Sequence, residues 1–255
     1  MGALAGFTIF FGLPIAFLPE RKRLKGLLNA VATGVLIFLL VEVLHDAIGM
    51  VEESVQRAAT GEAASLAVFH ASAILVAGLV IGLLGLVLFE MKFIRNHGMK
   101  MAGNDKAKYL SLMIAMGIGL HNFSEGLAIG QSFVNGAIKL ALLLVIGFAL
   151  HNATEGFGIA GPLHGTRPSW KFLFMLGLIG GGPTFLGTMV GSAYASPLLS
   201  LLFLSLAGGA IIYVVKELLY HGRIAGEDMM VMAGLLLGFF LGVGTEMIIE
   251  LAKVA

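Results

Sequence analysis

From Leu66 to Phe89 the chain runs 24 residues without an Asp, Glu, Lys or Arg. No other feature limits the fold as tightly. A helix rises ~1.5 Å per residue, so about 20 apolar residues cross the ~30 Å hydrocarbon of a bilayer. Runs of this kind recur along all 255 residues and predict eight spans, at 2–18, 26–46, 66–91, 109–130, 137–160, 172–193, 197–219 and 229–252. Charged residues make up only 12%, about half the ~25% of a soluble domain. That share excludes a water-soluble globule, and the apolar content excludes an unfolded chain. The runs are continuous rather than alternating, which argues against a barrel of ten-residue strands. The expectation is an all-α polytopic membrane protein in which residues 1–255 form a single transmembrane domain.

Charge sets the expected threading. The first span lacks a basic leader and is followed directly by Arg21, Lys22, Arg23 and Lys25, so it reads as retained rather than cleaved. Twelve of the 16 Lys and Arg fall after spans 1, 3, 5 and 7. The positive-inside rule then puts both termini outside a multi-pass chain in the cell membrane, plasma or inner. Segment 47–64, with Glu52, Glu53 and Glu62 against Arg57, suits the outer face. Segment 92–108 reads as a polar linker with a single His, too few for a metal-binding tract. With Cys 0 there is neither disulfide nor thiolate site, and a net charge of +1 supplies no basic field for nucleic acid.

An ionised group at the bilayer centre costs roughly 2.5–3.5 kcal/mol on insertion scales. Acids inside spans are therefore the strongest functional signal. GIGLHNFSEGLAIG at 117–130 and GFALHNATEGFGIA at 147–160 agree at seven of fourteen positions. Spans 4 and 5 thus carry the same HNxxEG motif: His121, Asn122 and Glu125 in one, His151, Asn152 and Glu155 in the other. His and Glu at i, i+4 lie one above the other on a helix, with Asn at the stripe's edge. The two spans run antiparallel across a short loop, with their motifs at similar depth. Face to face they offer two imidazole nitrogens, two carboxylates and two amide oxygens. That N/O set suits Zn²⁺, and also Fe²⁺ or Mn²⁺. The alternative is a hydrogen-bonded polar patch that holds the bundle together. Repetition of the same costly triad at one depth favours a metal or proton site. Gly126 and Gly156 let neighbouring backbones come close.

Weaker signals lie elsewhere. Glu42, His45 and Asp46 end span 2 and offer a cation entrance, or simply a solvated helix end. Lys216, Glu217 and His221 sit near the cytoplasmic end of span 7. Glu217 and His221, one turn apart, offer an exit, against the alternatives of an interfacial pair and a snorkelling lysine. Glu246 and Glu250 are one turn apart in span 8, His70 reads as interfacial, and Met113 and Met116 read as core filler. Span 6 carries GLIGGGPTFLG at 177–187, where Pro183 removes a helix hydrogen bond and the glycines allow a kink or a tight seam.

The stretches HNFSEG and HNATEGFGIAGPL resemble the Zrt/Irt-like protein family, the ZIP metal transporters, as does the GGAIIYVVKE run of span 7. The resemblance implies divalent-metal uptake through a 3+2+3 helix arrangement, with spans 1–3 and 6–8 as inverted repeats around spans 4 and 5. Carried over by position, His121, Glu125, His151 and Glu155 hold the metal, and Asn122 and Asn152 lie beside a second position. It also implies that one helix group slides against another. Two departures stand out: Ser124 and Thr154 replace the motif prolines, and Gly182 occupies a position that often carries a bridging Glu. One metal is therefore expected. The metal, Zn²⁺ with Fe²⁺, Mn²⁺ and Cd²⁺ as further cargoes, is substrate rather than cofactor. The partners expected are the lipid bilayer, the ion, and a second copy of the chain as a homodimer. The rivals are a membrane-embedded metal-dependent hydrolase and a proton or small-solute carrier. The first is weakened by the lack of an HExxH motif.

Overall fold

The computed structural model describes residues 1–18, 22–92, 104–194, 196–222 and 228–254. Among them there is no strand. The helices are α1 (Gly2–Gly6), α2 (Lys22–Ala59), α3 (Ser65–Glu90), α4 (Asn104–Val134), α5 (Ile138–Ala160), α6 (Trp170–Ala193), α7 (Pro197–Gly222) and α8 (Asp228–Val254). Seven of these, α2 to α8, are long and apolar enough to cross a bilayer. The expected first span takes another form. After α1 it continues as two 3-10 segments, Phe7–Phe11 and Leu13–Phe17. Pro14 has no N–H to give an α-helical ladder, and the 3-10 form stretches the same residues further.

Helix α2 departs from expectation in length. It has 38 residues and continues to Ala59 through the acidic segment read as an outer loop. Glu, Gln, Arg and Ala sustain a helix as well in water as in lipid. It stops at Gly61, whose φ of 79° closes a turn in which Glu62 N–H and Ala63 N–H donate to Arg57 C=O. Most of the expected 92–108 linker, including His97, lies outside the described residues, and α4 begins inside it at Asn104.

Packing follows small residues. In lipid no hydrophobic drive pulls helices together, so close backbone approach and dispersion must hold them. At Gly126 a Cβ would overlap Thr184 C=O, and at Gly187 it would overlap Phe123 C=O, so α4 and α6 touch backbone to backbone. Gly34 and Gly238 do the same for α2 and α8, and Gly82 and Gly209 for α3 and α7. Gly6 and Gly181 each occupy the space beside the other's carbonyl, locking α1 to α6. Pro183 lies inside α6 and withholds the N–H that Ile179 C=O would accept. Gly119 of α4 fits against that oxygen. Ile9, Leu36, Leu39, Met113, Ile114, Ile118, Ile159, Leu176 and Tyr213 fill the core, and α4 is the most enclosed spanning helix. Exposed side chains such as Phe69, Leu88, Phe174, Leu186, Phe240 and Leu251 are apolar, as a lipid-facing surface requires.

Candidate metal centre

The two motifs meet in the middle of the bundle. His121, Asn122 and Glu125 on α4 and His151, Asn152 and Glu155 on α5 are all buried, with Asn122, Asn152 and Glu155 fully so. The i, i+4 spacing brings His121 Nε2 to 3.4 Å from Glu125 Oε1, and His151 Nε2 to 3.7 Å from Glu155 Oε1. The two imidazole rings lie 5.9 Å apart, centre to centre. Both helices run unbroken through the motifs. Where proline was the expected residue, the hydroxyls act in its place: Ser124 Oγ donates to His121 C=O at 2.6 Å and Thr154 Oγ1 to His151 C=O at 2.7 Å. Such back-bonding bends a helix without breaking it.

The asparagines cross the pair. Asn122 Nδ2 donates to Glu155 Oε2 at 2.9 Å, and Asn152 Nδ2 reaches Glu125 Oε2 at 3.5 Å. Each amide thus holds the carboxylate of the other helix. Asn122 Nδ2 is also within reach of Asn152 Oδ1 and of Gly180 C=O, at 3.0 Å, on α6. An amide nitrogen has two hydrogens for these three acceptors, so they compete. Asn152 Nδ2 reaches Ala5 C=O at 3.2 Å, which ties α1 to the centre. Asn122→Leu removes the donor facing the buried Glu155 carboxylate. It is expected to lower stability by roughly 1–3 kcal/mol, read as thermal unfolding in detergent. An unchanged midpoint would show that the amide contributes nothing to the fold.

Five buried atoms at the centre make no hydrogen bond among the described residues: both ring nitrogens of His121, His151 Nε2, Glu155 Oε1 and Asn122 Oδ1. The two oxygens, His151 Nε2 and one nitrogen of a neutral His121 offer lone pairs of the kind a divalent ion takes. Glu42 joins them from α2. One ligand atom each from Glu42, His121 and His151 lies within 4.8 Å of the other two. Zn–N and Zn–O bonds of ~2.0–2.2 Å put tetrahedral ligands about 3.4 Å apart, so small side-chain movements bring all three round one ion.

The other sequence-predicted residues lie elsewhere. Asp46 and His45 are exposed on the next turn of α2. Glu217 is half-buried and pairs with its exposed neighbour Lys216, while the side chain of His221 lies outside the described residues. His70 is exposed beside Phe69, Met113 is wholly buried in the core, and Met116 packs against it. Three partners of the site carried no sequence signal. Thr245 Oγ1 on α8 lies 3.2 Å from His151 Nδ1, and the carbonyls of Ala5 and Gly180 accept from the two asparagines. Glu246, next to Thr245, is a hydrogen-bonding neighbour of Glu42.

No curated protein matches the chain at a significant level. The sequence model of the ZIP zinc transporter family matches residues 95–250, which takes in α4 to α7, both HNxxEG motifs and most of α8. A match over more than half of the chain, centred on the helices that carry the buried His and Glu pairs, makes this protein a member of the ZIP zinc transporter family.

Proposed function

We propose that the protein takes a divalent cation, Zn²⁺ first, with Fe²⁺, Mn²⁺ and Cd²⁺ as rivals, from the outside to the cytoplasm through the site between α4 and α5. The observation that carries the reading is the set of orphaned lone pairs. A polar patch built only for packing satisfies its own groups. Here the atoms left over are the imidazole and carboxylate atoms that would ligate metal. His121, Glu125, His151 and Glu155 hold the ion, with Glu42 as a further ligand and Asn122 and Asn152 orienting the carboxylates. Two carboxylates cancel the ion's charge, which offsets the cost of burying each alone. Asp46 and His45 mark the approach, and Glu217 and His221 the departure. Residues 1–255 act as one transport domain with both termini outside, in the plasma or inner membrane.

The helix pairing supports a 3+2+3 arrangement with eight crossings. The partners α2 with α8 and α3 with α7 are matched, and α4 packs on α6 as α5 packs on the 2–17 segment. The glycine contacts in which a Cβ would overlap backbone fall within two groups, α1, α4, α5, α6 and α2, α3, α7, α8. Between the groups, a Cβ on Gly117 would stand 3.8 Å from Ala210 and one on Gly161 3.4 Å from Ala32, ordinary van der Waals contacts. The first group carries the twin motifs and slides against the second.

Competitive uptake of Zn²⁺, Fe²⁺, Mn²⁺ and Cd²⁺ into proteoliposomes tests the reading. Saturable Zn²⁺ flux is expected, falling as the medium is acidified because protons compete for the same lone pairs. Metal-dependent turnover of a lipid or peptide without flux would favour the hydrolase instead.

A further inference from the structure

Helices α2 and α8 run parallel, and their register has a consequence beyond packing. Gly34 lies against Gly238, and Phe38 against Gly242. One turn on, the same register sets Glu42 beside Glu246, and a further turn sets Asp46 beside Glu250. The carboxyls of Glu42 and Glu246 are within hydrogen-bonding reach. Glu246 also lies within electrostatic reach of Glu125 and His121. Glu42 Oε2 is buried and makes no hydrogen bond among the described residues. The rings of His121 and His151, 4% and 1% exposed, each bring a nitrogen within 4.8 Å of a Glu42 carboxylate oxygen, and Nε2 of each makes no hydrogen bond among the described residues.

We propose that Glu42 and Glu246 form a second divalent-cation position, made of oxygen donors, that shares Glu42 with the His121–His151 site. The proposal rests on the metal-site reading above. Two facing carboxylates carry the charge to match a divalent ion. All-oxygen ligation holds such an ion less selectively than the imidazoles do. Both residues stand on the group α2, α3, α7, α8, whereas the imidazoles stand on the other group. Glu42 is therefore the point of transfer between them. An ion loads on Glu42 and Glu246, then passes to His121 and His151 by exchanging one carboxylate for two nitrogens. Asp46 and Glu250, both exposed, lie one turn outward and concentrate cations at this mouth.

Zn²⁺ titration of the full chain in lipid nanodiscs, followed by calorimetry, tests this. Two Zn²⁺ per chain with separate affinities are expected. Glu246→Gln, an isosteric change, is expected to lose the weaker and keep the tighter. His121→Ala with His151→Ala is expected to lose the tighter. If Glu246→Gln binds two ions as the unaltered chain does, while the double histidine variant loses one, the second position is wrong and the twin-motif site stands. If the double histidine variant keeps both ions, the twin-motif reading fails and the shared position with it. X-ray absorption at the zinc edge of the unaltered chain needs no variant. The second equivalent is expected to add only oxygen neighbours, and an imidazole signature from that ion overturns the proposal.

Discussion

Alanine at Glu125 or Glu155 is expected to abolish metal uptake while leaving a protein that still reaches the membrane. In the proposed site these two carboxylates, with Glu42, supply the negative charge, and the histidines contribute lone pairs without charge. Removing one partner from a buried charge cluster costs about 3–5 kcal/mol, which at 1.4 kcal/mol per tenfold is between about a hundred and a few thousand in affinity. Asparagine contacts sharpen the expectation. Loss of Glu155 turns Asn122 Nδ2 wholly to Asn152 Oδ1 and Gly180 C=O, and loss of Glu125 leaves Asn152 Nδ2 with Ala5 C=O. Both amides keep a partner, so the loss falls on metal binding rather than on the fold. Glutamine at the same positions keeps the shape and a hydrogen-bonding oxygen but not the charge. It is expected to transport as poorly as alanine. Initial rates of Zn²⁺ uptake, compared at equal expression, decide the matter. Wild-type rates in both alanine variants would mean the twin motifs are structural.

The second large effect concerns the seam between α4 and α6. A Cβ on Gly126 would overlap Thr184 C=O and stand 2.8 Å from Thr188 N, with Gly187 Cα at 3.0 Å. All three are backbone, so no side chain can swing away and the helices must separate. Overpacking costs typically 1–3 kcal/mol, and a rigid neighbour puts Gly126→Ala at the upper end. At about 3 kcal/mol the unfolding midpoint drops by roughly 6–12 °C for a chain of this size. Gly182, two residues before Thr184 on the same glycine-rich helix, has nothing within 4 Å of an added Cβ. Gly182→Ala is expected to melt within about 1 kcal/mol of the unaltered chain, since alanine is the better helix former. Equal midpoints for the two variants would refute the seam.

Span positions were legible because apolar length alone predicts them. Helices α3, α5 and α6 start and stop within two residues of the expected spans. The motif pairing was legible too, since the repeat places identical side chains on consecutive antiparallel helices. What composition hides is helix outside the bilayer and rotation inside it. The stretch 47–59 is polar, so hydropathy ends the span at 46, although its residues form good helix. Glu42 reads as a mouth residue because nothing local says which way its side chain turns. Only the packing of α2 against α5 and α8 aims it at His121 and His151. Thr245 and Glu246 gain meaning from the same register, which no sequence spacing contains. The first span failed differently: its apolar length was right, but Pro14 and the glycines beside it give a tighter coil than an α-helix.

The exchange of amides between α4 and α5 has a consequence for how such a chain can drift. Position 122 answers to position 155, and position 152 to position 125, each across the duplication rather than within its own copy. A substitution in one half therefore lands its cost on the other half. A change in one copy is thus expected to call for a compensating change in the other, which a double-mutant cycle across 122 and 155 would read as coupling.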